Sequence, residues 1–192
     1  MSALSFVILA CWVVFWVYWL TSAIGAKKNN YSGIRQALKR QATIRLIIFA
    51  AVLLFLRLSP SHSFNLRDYG PVHNNYLQAG GLAILLLGLL FAIWARRNLG
   101  KNWGMPMTLK QDPELVTSGP YRYVRHPIYS GILLAIIGTA IAINLAWLFI
   151  LMIAGAYFVY SALVEERIML KEFPKTYPAY KRQTKMLIPF VL

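Results

Sequence analysis

Charged residues are missing from three long stretches of the 192-residue chain: positions 1–26, 69–95 and 127–164 contain no Asp, Glu, Lys or Arg. Each of the first two is long enough for one helix across roughly 30 Å of hydrocarbon, and the third is long enough for a tight antiparallel pair. A fourth candidate is shorter, because only the 11 residues 46–56 separate Arg45 from Arg57. Both arginines can snorkel to opposite interfaces, which lets a helix over 42–58 serve, and Ser59-Pro60 ends it. The predicted spans are 3–26, 42–58, 76–95, 127–143 and 145–164. Asn144, a polar and turn-tolerant residue inside the longest apolar run, is where that run reverses. Its first arm is short for a full crossing. The fold class expected is all-α: a polytopic membrane protein of five transmembrane helices, with a C-terminal hairpin over 127–164 and an inner loop and tail. Residues 1–95 form a membrane scaffold, and 96–192 carry the chemistry.

Composition agrees, since 58% of the residues are hydrophobic, far above what a soluble core of this size absorbs. The net charge of +14 invites a nucleic-acid reading, but its distribution argues against one. With five spans, segments 27–45, 96–125 and 167–192 share one side and carry six Lys or Arg each, whereas the other side keeps only Arg57 and Arg67. That split places the N-terminus outside and the C-terminus in the cytoplasm. The basic residues then read as topology determinants and contacts for anionic membrane lipids. The first stretch lacks a basic n-region and outlasts a signal-peptide core, so it reads as a retained span whose Trp12, Trp16, Tyr18 and Trp19 pack against other helices. Residues 34–41 suit an amphipathic lead-in along the surface.

Few polar residues suit metal or redox chemistry. His62 and His73 lie in the outer loop without ligand spacing, so no metal site is expected. The single Cys11 sits in the first span and reads as a small hydrophobe. The inner loop carries more. Gly119-Pro120 reads as a turn, and Pro127 fits the first turn of a helix. His126 then caps that helix, with Tyr129 and Ser130 following on the same face. An imidazole, a phenol and free helix-terminal N–H groups would gather there. The same residue types also anchor helices at interfaces, and residue type alone does not separate the two readings. At the far end of the hairpin Glu165-Glu166 returns beside Arg125-His126. The pair begins a helical continuation that Pro174 stops, and the tail, with Tyr177, Tyr180, Lys181 and Arg182, folds back over the junction. Two carboxylates among so many cations also suit plain salt bridges.

Two blocks carry a family resemblance. Leu115-Val116-Thr117-Ser118-Gly119-Pro120-Tyr121 with Arg125-His126-Pro127-Ile128-Tyr129-Ser130-Gly131 forms the first. Glu165-Glu166, Phe173, Tyr177, Tyr180-Lys181 and Pro189-Phe190 form the second. In order and spacing they resemble the signature of isoprenylcysteine carboxyl methyltransferases and related phospholipid methyltransferases, in a prokaryotic-type integral-membrane form. The resemblance covers residues 113–190; the N-terminal half matches only in its pattern of spans. It implies an S-adenosylmethionine-dependent membrane enzyme, most simply a carboxyl O-methyltransferase acting on a lipophilic, prenylated substrate. The implied cofactor residues are Pro113, Glu114, Leu115, Val116, Tyr121, His126, Pro127, Ile128, Tyr129 and Glu165, with the loop around Met105-Pro106-Met107 contributing. Glu165, Glu166 and Arg125 are the implied catalytic residues. No Gly-x-Gly occurs, so a Rossmann-type cofactor site is not supported. The chemistry suits the residues: a sulfonium is stabilised by carboxylate and aromatic faces. Methyl transfer to an ionised acceptor needs alignment and dryness, with neither a metal nor a general base.

One position departs from the pattern. The isoprenylcysteine enzymes carry an Arg one helical turn before the acidic residue, where this chain has Ser161, or Ala162 if the second Glu is the match. Arg167, Arg125 or Arg122 would have to grip a substrate carboxylate instead. Two other classes compete. Sterol reductases carry a similar Arg-His-Pro-x-Tyr-x-Gly junction with a nicotinamide cofactor, and a non-enzymatic scaffold or small transporter would bind neither cofactor. A phospholipid acceptor is the alternative within the same fold.

Overall fold

The computed structural model describes residues 3–22, 43, 72, 74–104 and 112–189. Its helices are α1 (Ala3–Ser22), α2 (Asn75–Leu99), α3 (Pro127–Ala142), α4 (Trp147–Glu172) and α5 (Tyr177–Gln183), with 3₁₀ turns at Gly100–Asn102 and Gly119–Arg122. No strand occurs among the described residues; an isolated parallel bridge joins Val124 to Lys185. The predicted second span, the amphipathic lead-in, Met105-Pro106-Met107, His62 and His73 lie outside the described residues.

Among the described residues, three helices are long and apolar enough to cross a membrane: α1, α2 with its following turn, and α4. With the family described below, they make the chain an integral membrane protein. The 16 residues of α3 extend only about 24 Å, short of roughly 30 Å of hydrocarbon. Large apolar side chains point away from the protein along α1, α2 and α4, among them Val14, Leu20, Leu87, Leu90 and Met152. Lipid is the medium that accepts such a surface.

Local chemistry sets the helix ends. The Asn74 side chain accepts from the N–H groups of Tyr76 and Leu77 at 2.9 and 3.2 Å, capping α2. At its other end Gly100 takes φ 54°, and its N–H returns to the Arg96 carbonyl. Pro127 opens α3. Asn144 reverses the hairpin as its position suggests, with Oδ1 accepting from Ala146 N–H at 2.7 Å. The second arm begins at Trp147 and runs unbroken to Glu172, through the acidic pair.

The tightest packing joins α2 to α3, antiparallel, through two pairs of glycines seven residues apart. A Cβ on Gly81 would lie 2.5 Å from the Ala142 nitrogen, and one on Gly88 2.5 Å from that of Ala135. From the other side, Gly131 meets Ala92, and Gly138 meets Leu85, as closely. With no hydrophobic driving force between helices in lipid, backbone approach of this kind is a main source of association. Helix α1 leans on the pair through Ile8 and Phe15, and Trp12 Nε1 donates to Thr139 Oγ1 at 3.1 Å.

Candidate active site

At the junction end of the helices, the tail residues 184–187 lie against 124–130. Arg125 N–H donates to the Lys185 carbonyl at 2.8 Å and His126 N–H to the Met186 carbonyl at 3.1 Å. Ser130 Oγ donates to the Leu187 carbonyl at 2.6 Å. Leu187 packs beside Tyr129 and Ala162. The tail thus satisfies N–H groups that open α3.

The acidic pair divides in two directions. Glu166 is buried and fully engaged: Arg125 Nε donates to Oε1 at 2.7 Å and Lys181 Nζ lies 2.6 Å from Oε2. The Arg125 guanidinium also donates to the carbonyls of Thr184 and Lys181. Glu165 instead accepts from the Tyr129 hydroxyl at 2.5 Å, and His126 Nδ1 lies 3.4 Å from its other oxygen. The rings of His126, Tyr129 and Phe158 stack in sequence, with centroids 5.5 and 4.5 Å apart. Burial lowers the His126 pKa, but its hydrogen bonds to the Glu165 and Glu166 carboxylates outweigh it, so the net shift is upward. Burial pushes the Tyr180 phenol up to about 12, so it stays neutral as it donates to the Tyr121 carbonyl at 2.7 Å.

A cavity of about 590 Å³ opens beside this cluster. Among the described residues, all those expected around the cofactor line it except Pro127, which is buried; Met105-Pro106-Met107 lie outside the described residues. Of the expected catalytic residues, Arg125 and Glu165 are on the wall and Glu166 is not. Ser161 is fully buried away from the cavity, and its hydroxyl lacks a hydrogen-bond partner among the described residues. Arg122 and Arg167 are exposed and do not line it. Much of the remaining wall is apolar and aromatic: Trp16 and Trp19 of α1, Trp103, and Tyr157 and Phe158 of α4. Sequence reasoning assigned the α1 tryptophans to packing; their three-residue spacing, one helical turn, was the available sign of a shared face. It also left Lys181 without a role and passed over Asn102.

Residues 77–176, more than half of the chain, match the phospholipid methyltransferase family. Among curated proteins, the chain is similar to protein-S-isoprenylcysteine O-methyltransferase of Schizosaccharomyces pombe, with 26% identity over 91% of this chain and 67% of that enzyme. It is also similar to the cobalt-zinc-cadmium resistance protein CzcN of Cupriavidus metallidurans, at 34% over 55% of this chain and 49% of that protein. Methanethiol S-methyltransferase 2 of Bradyrhizobium diazoefficiens shares 38% over 36% of this chain and 26% of its own length. The chain therefore spans about two thirds of the yeast enzyme's length and about half or less of the other two. The chain belongs to the phospholipid methyltransferase family, as a membrane methyltransferase resembling the isoprenylcysteine O-methyltransferases.

Proposed function

We propose that this protein transfers a methyl group from S-adenosylmethionine to a lipophilic acceptor that enters from the bilayer, forming a carboxyl methyl ester on a prenylated substrate. One observation carries the reading. A single cavity joins the polar cluster of Glu165, His126 and Tyr129 to an apolar wall of tryptophans and Phe158 on membrane helices. Its volume lies within the roughly 300–1,000 Å³ of small-molecule sites. Its chemistry fits the cofactor: carboxylates and aromatic faces suit a sulfonium.

When bound, the cofactor supplies an electrophilic methyl carbon. Glu165, held by Tyr129, places negative charge at the cavity wall. Arg125 reaches the same wall and is the described arginine placed to orient an acceptor carboxylate, which Ser161 is not. Tyr180 and Tyr177 close the cavity on the tail side and exclude water. Glu166 acts from behind the wall by fixing Arg125. In the same reading residues 1–95 are scaffold, 96–192 form the catalytic region, and five spans put the cavity and C-terminus on the cytoplasmic side. The 18-to-2 division of basic residues supports that orientation.

The test is calorimetric titration of detergent-purified protein with S-adenosylhomocysteine, followed by a methyl-transfer screen of prenylcysteine and phospholipid acceptors. Saturable binding that Glu165→Ala abolishes in a still-folded protein is expected. Saturable NADPH binding with no S-adenosylhomocysteine binding would replace this reading with a reductase, and transfer to phospholipids alone would move the acceptor within the family.

A further inference from the structure

A buried guanidinium sits where α2 reaches the junction. Arg96 is only 4% exposed, and a charge so placed persists only where hydrogen bonds replace its water. Its Nη1 donates to the Gly100 carbonyl at 2.9 Å, and its Nη2 donates to the carbonyl of Ser22, the last described residue of α1. The guanidinium carbon also lies 4.5 Å from the ring centre of Trp103, whose N–H returns to the Gly100 carbonyl at 3.3 Å. One side chain therefore ties together α1, α2 and the turn after α2. Arg96 itself is not on the cavity wall.

Trp16, Trp19 and Trp103, which do line the cavity, depend on that tie. Along α1, Trp19 and Trp16 precede Ser22 by about 4.5 and 9 Å of helix axis. Trp19 meets Trp103 edge to face, with ring centres 5.7 Å apart. Ile8, Phe15 and the hydrogen bond from Trp12 to Thr139 hold the earlier turns of α1. Toward the junction, the hydrogen bond from Arg96 to Ser22 and the Trp19–Trp103 contact hold it, and Arg96 supports both. A shift of the Ser22 end moves Trp19 nearly as far, and the width of the aromatic wall with it.

We propose that Arg96 is a positioning residue for the acceptor: by fixing Trp103 and the Ser22 end of α1, it sets the width of the aromatic wall against which the acceptor's apolar chain lies. It touches neither cofactor nor acceptor and acts through Trp19 and Trp103. Lysine is no equivalent, since a single ammonium lacks the planar fork that reaches two carbonyls and covers an indole at once. Glu165, His126 and Tyr129 hold one another on the α3–α4 side, so the effect falls on acceptor binding and spares the cofactor. The proposal rests on the lipophilic acceptor assigned above and adds the residue that shapes its chamber.

The test measures kcat, KM and S-adenosylhomocysteine affinity for wild type, Arg96→Lys and Gly100→Ala in one nanodisc preparation. Gly100 is exposed, lies off the cavity wall and takes φ 54°, so alanine there strains the turn without disturbing the buried charge. The acceptors are an N-acetylcysteine thioether bearing a farnesyl chain and the same compound with a single-isoprene chain. Both variants are expected to raise the KM for the farnesyl compound, Arg96→Lys by about tenfold, the equivalent of one lost hydrogen bond. Calorimetric affinity for S-adenosylhomocysteine should stay at the wild-type value, and the KM penalty should shrink with the short chain. An unchanged farnesyl KM in Arg96→Lys overturns the proposal, and Gly100→Ala decides in the same way if the lysine variant does not fold. An equal penalty on both chains overturns it too, as does a matching loss of cofactor affinity. Wild type that binds S-adenosylhomocysteine yet methylates neither thioether overturns the acceptor assignment instead, so the two failures are distinguishable.

Discussion

Replacing Gly138 by Ala puts a number on the α2–α3 approach. The added Cβ would sit 2.3 Å from the Leu85 nitrogen, 2.6 Å from the Gly81 carbonyl oxygen and 2.7 Å from the Leu85 Cα. Comfortable heavy-atom separations are about 3.5–4.0 Å, so the shortfall is about 1 Å against backbone on every side. Backbone cannot rotate aside, and the helices must part. Parting them loosens Leu85, Leu89, Ile132 and Ile136 together, because all four sit in the same core. Overpacking of this kind costs about 1–3 kcal/mol. Alanine also gains helix propensity over glycine, by about 1 kcal/mol. Gly155→Ala isolates that gain, since a Cβ there meets nothing within 4 Å. The propensity effect cancels in the comparison, leaving Gly138→Ala less stable than Gly155→Ala by about 1–3 kcal/mol. For a chain of this length that is a gap of about 2–12 °C in unfolding midpoint, measured in one detergent or nanodisc preparation. Equal midpoints for the two variants would refute the close approach.

Three further outcomes follow from the site. Arg125→Met leaves Glu166, whose side chain is only 4% exposed, with Lys181 as its remaining short ion pair, and should cost about 3–5 kcal/mol. Lys181→Met removes a partner that is 42% exposed, so equilibrium unfolding should show the smaller loss of the two. Because the His126 pKa is raised in the folded protein, its charged form stabilises the fold fully below the unfolded value of about 6.5 and fades as pH rises through the folded value. The midpoint gap between wild type and His126→Gln should therefore shrink from acid to alkaline pH, and a pH-independent gap contradicts the assignment. Tyr129→Phe removes the hydroxyl that holds Glu165 and should weaken S-adenosylhomocysteine binding about tenfold by calorimetry; unchanged affinity argues that Glu165 needs no such support.

Absence of charge marked α1, α2 and the hairpin in the sequence, because hydrocarbon tolerates few ionised groups and each run had to be continuous. The meeting of Arg125-His126 with Glu165-Glu166 was legible for the same reason: two antiparallel arms of one run must return together. The continuation of α4 to Glu172 was also legible, because nothing between Val164 and Pro174 breaks a helix. What decides the α2–α3 contact was not legible. Gly81 and Gly138 lie far apart in sequence, and hydropathy averages them into their neighbours. The division of labour between Glu165 and Glu166 was hidden too. Adjacent helical residues point about 100° apart, and only the placement of Lys181 and Tyr129 decides which carboxylate is tied down. The aromatic cavity wall needed Trp103 brought against Trp19, with ring centres 5.7 Å apart, which depends on the Arg96 contacts after α2.

The hydrogen bonds from Arg125 and His126 to the carbonyls of Lys185 and Met186 carry a consequence for biogenesis. Every described membrane helix is synthesised before those carbonyls exist. Until residues 184–187 emerge from the ribosome, the N–H groups of Arg125 and His126, the guanidinium of Arg125 and the hydroxyl of Ser130 lack these backbone acceptors. Insertion of the helices and docking of the tail against residues 124–130 are therefore separate events in time. A nascent chain can have every described membrane helix in the bilayer and still lack the contacts that hold Arg125, His126 and Ser130 in place.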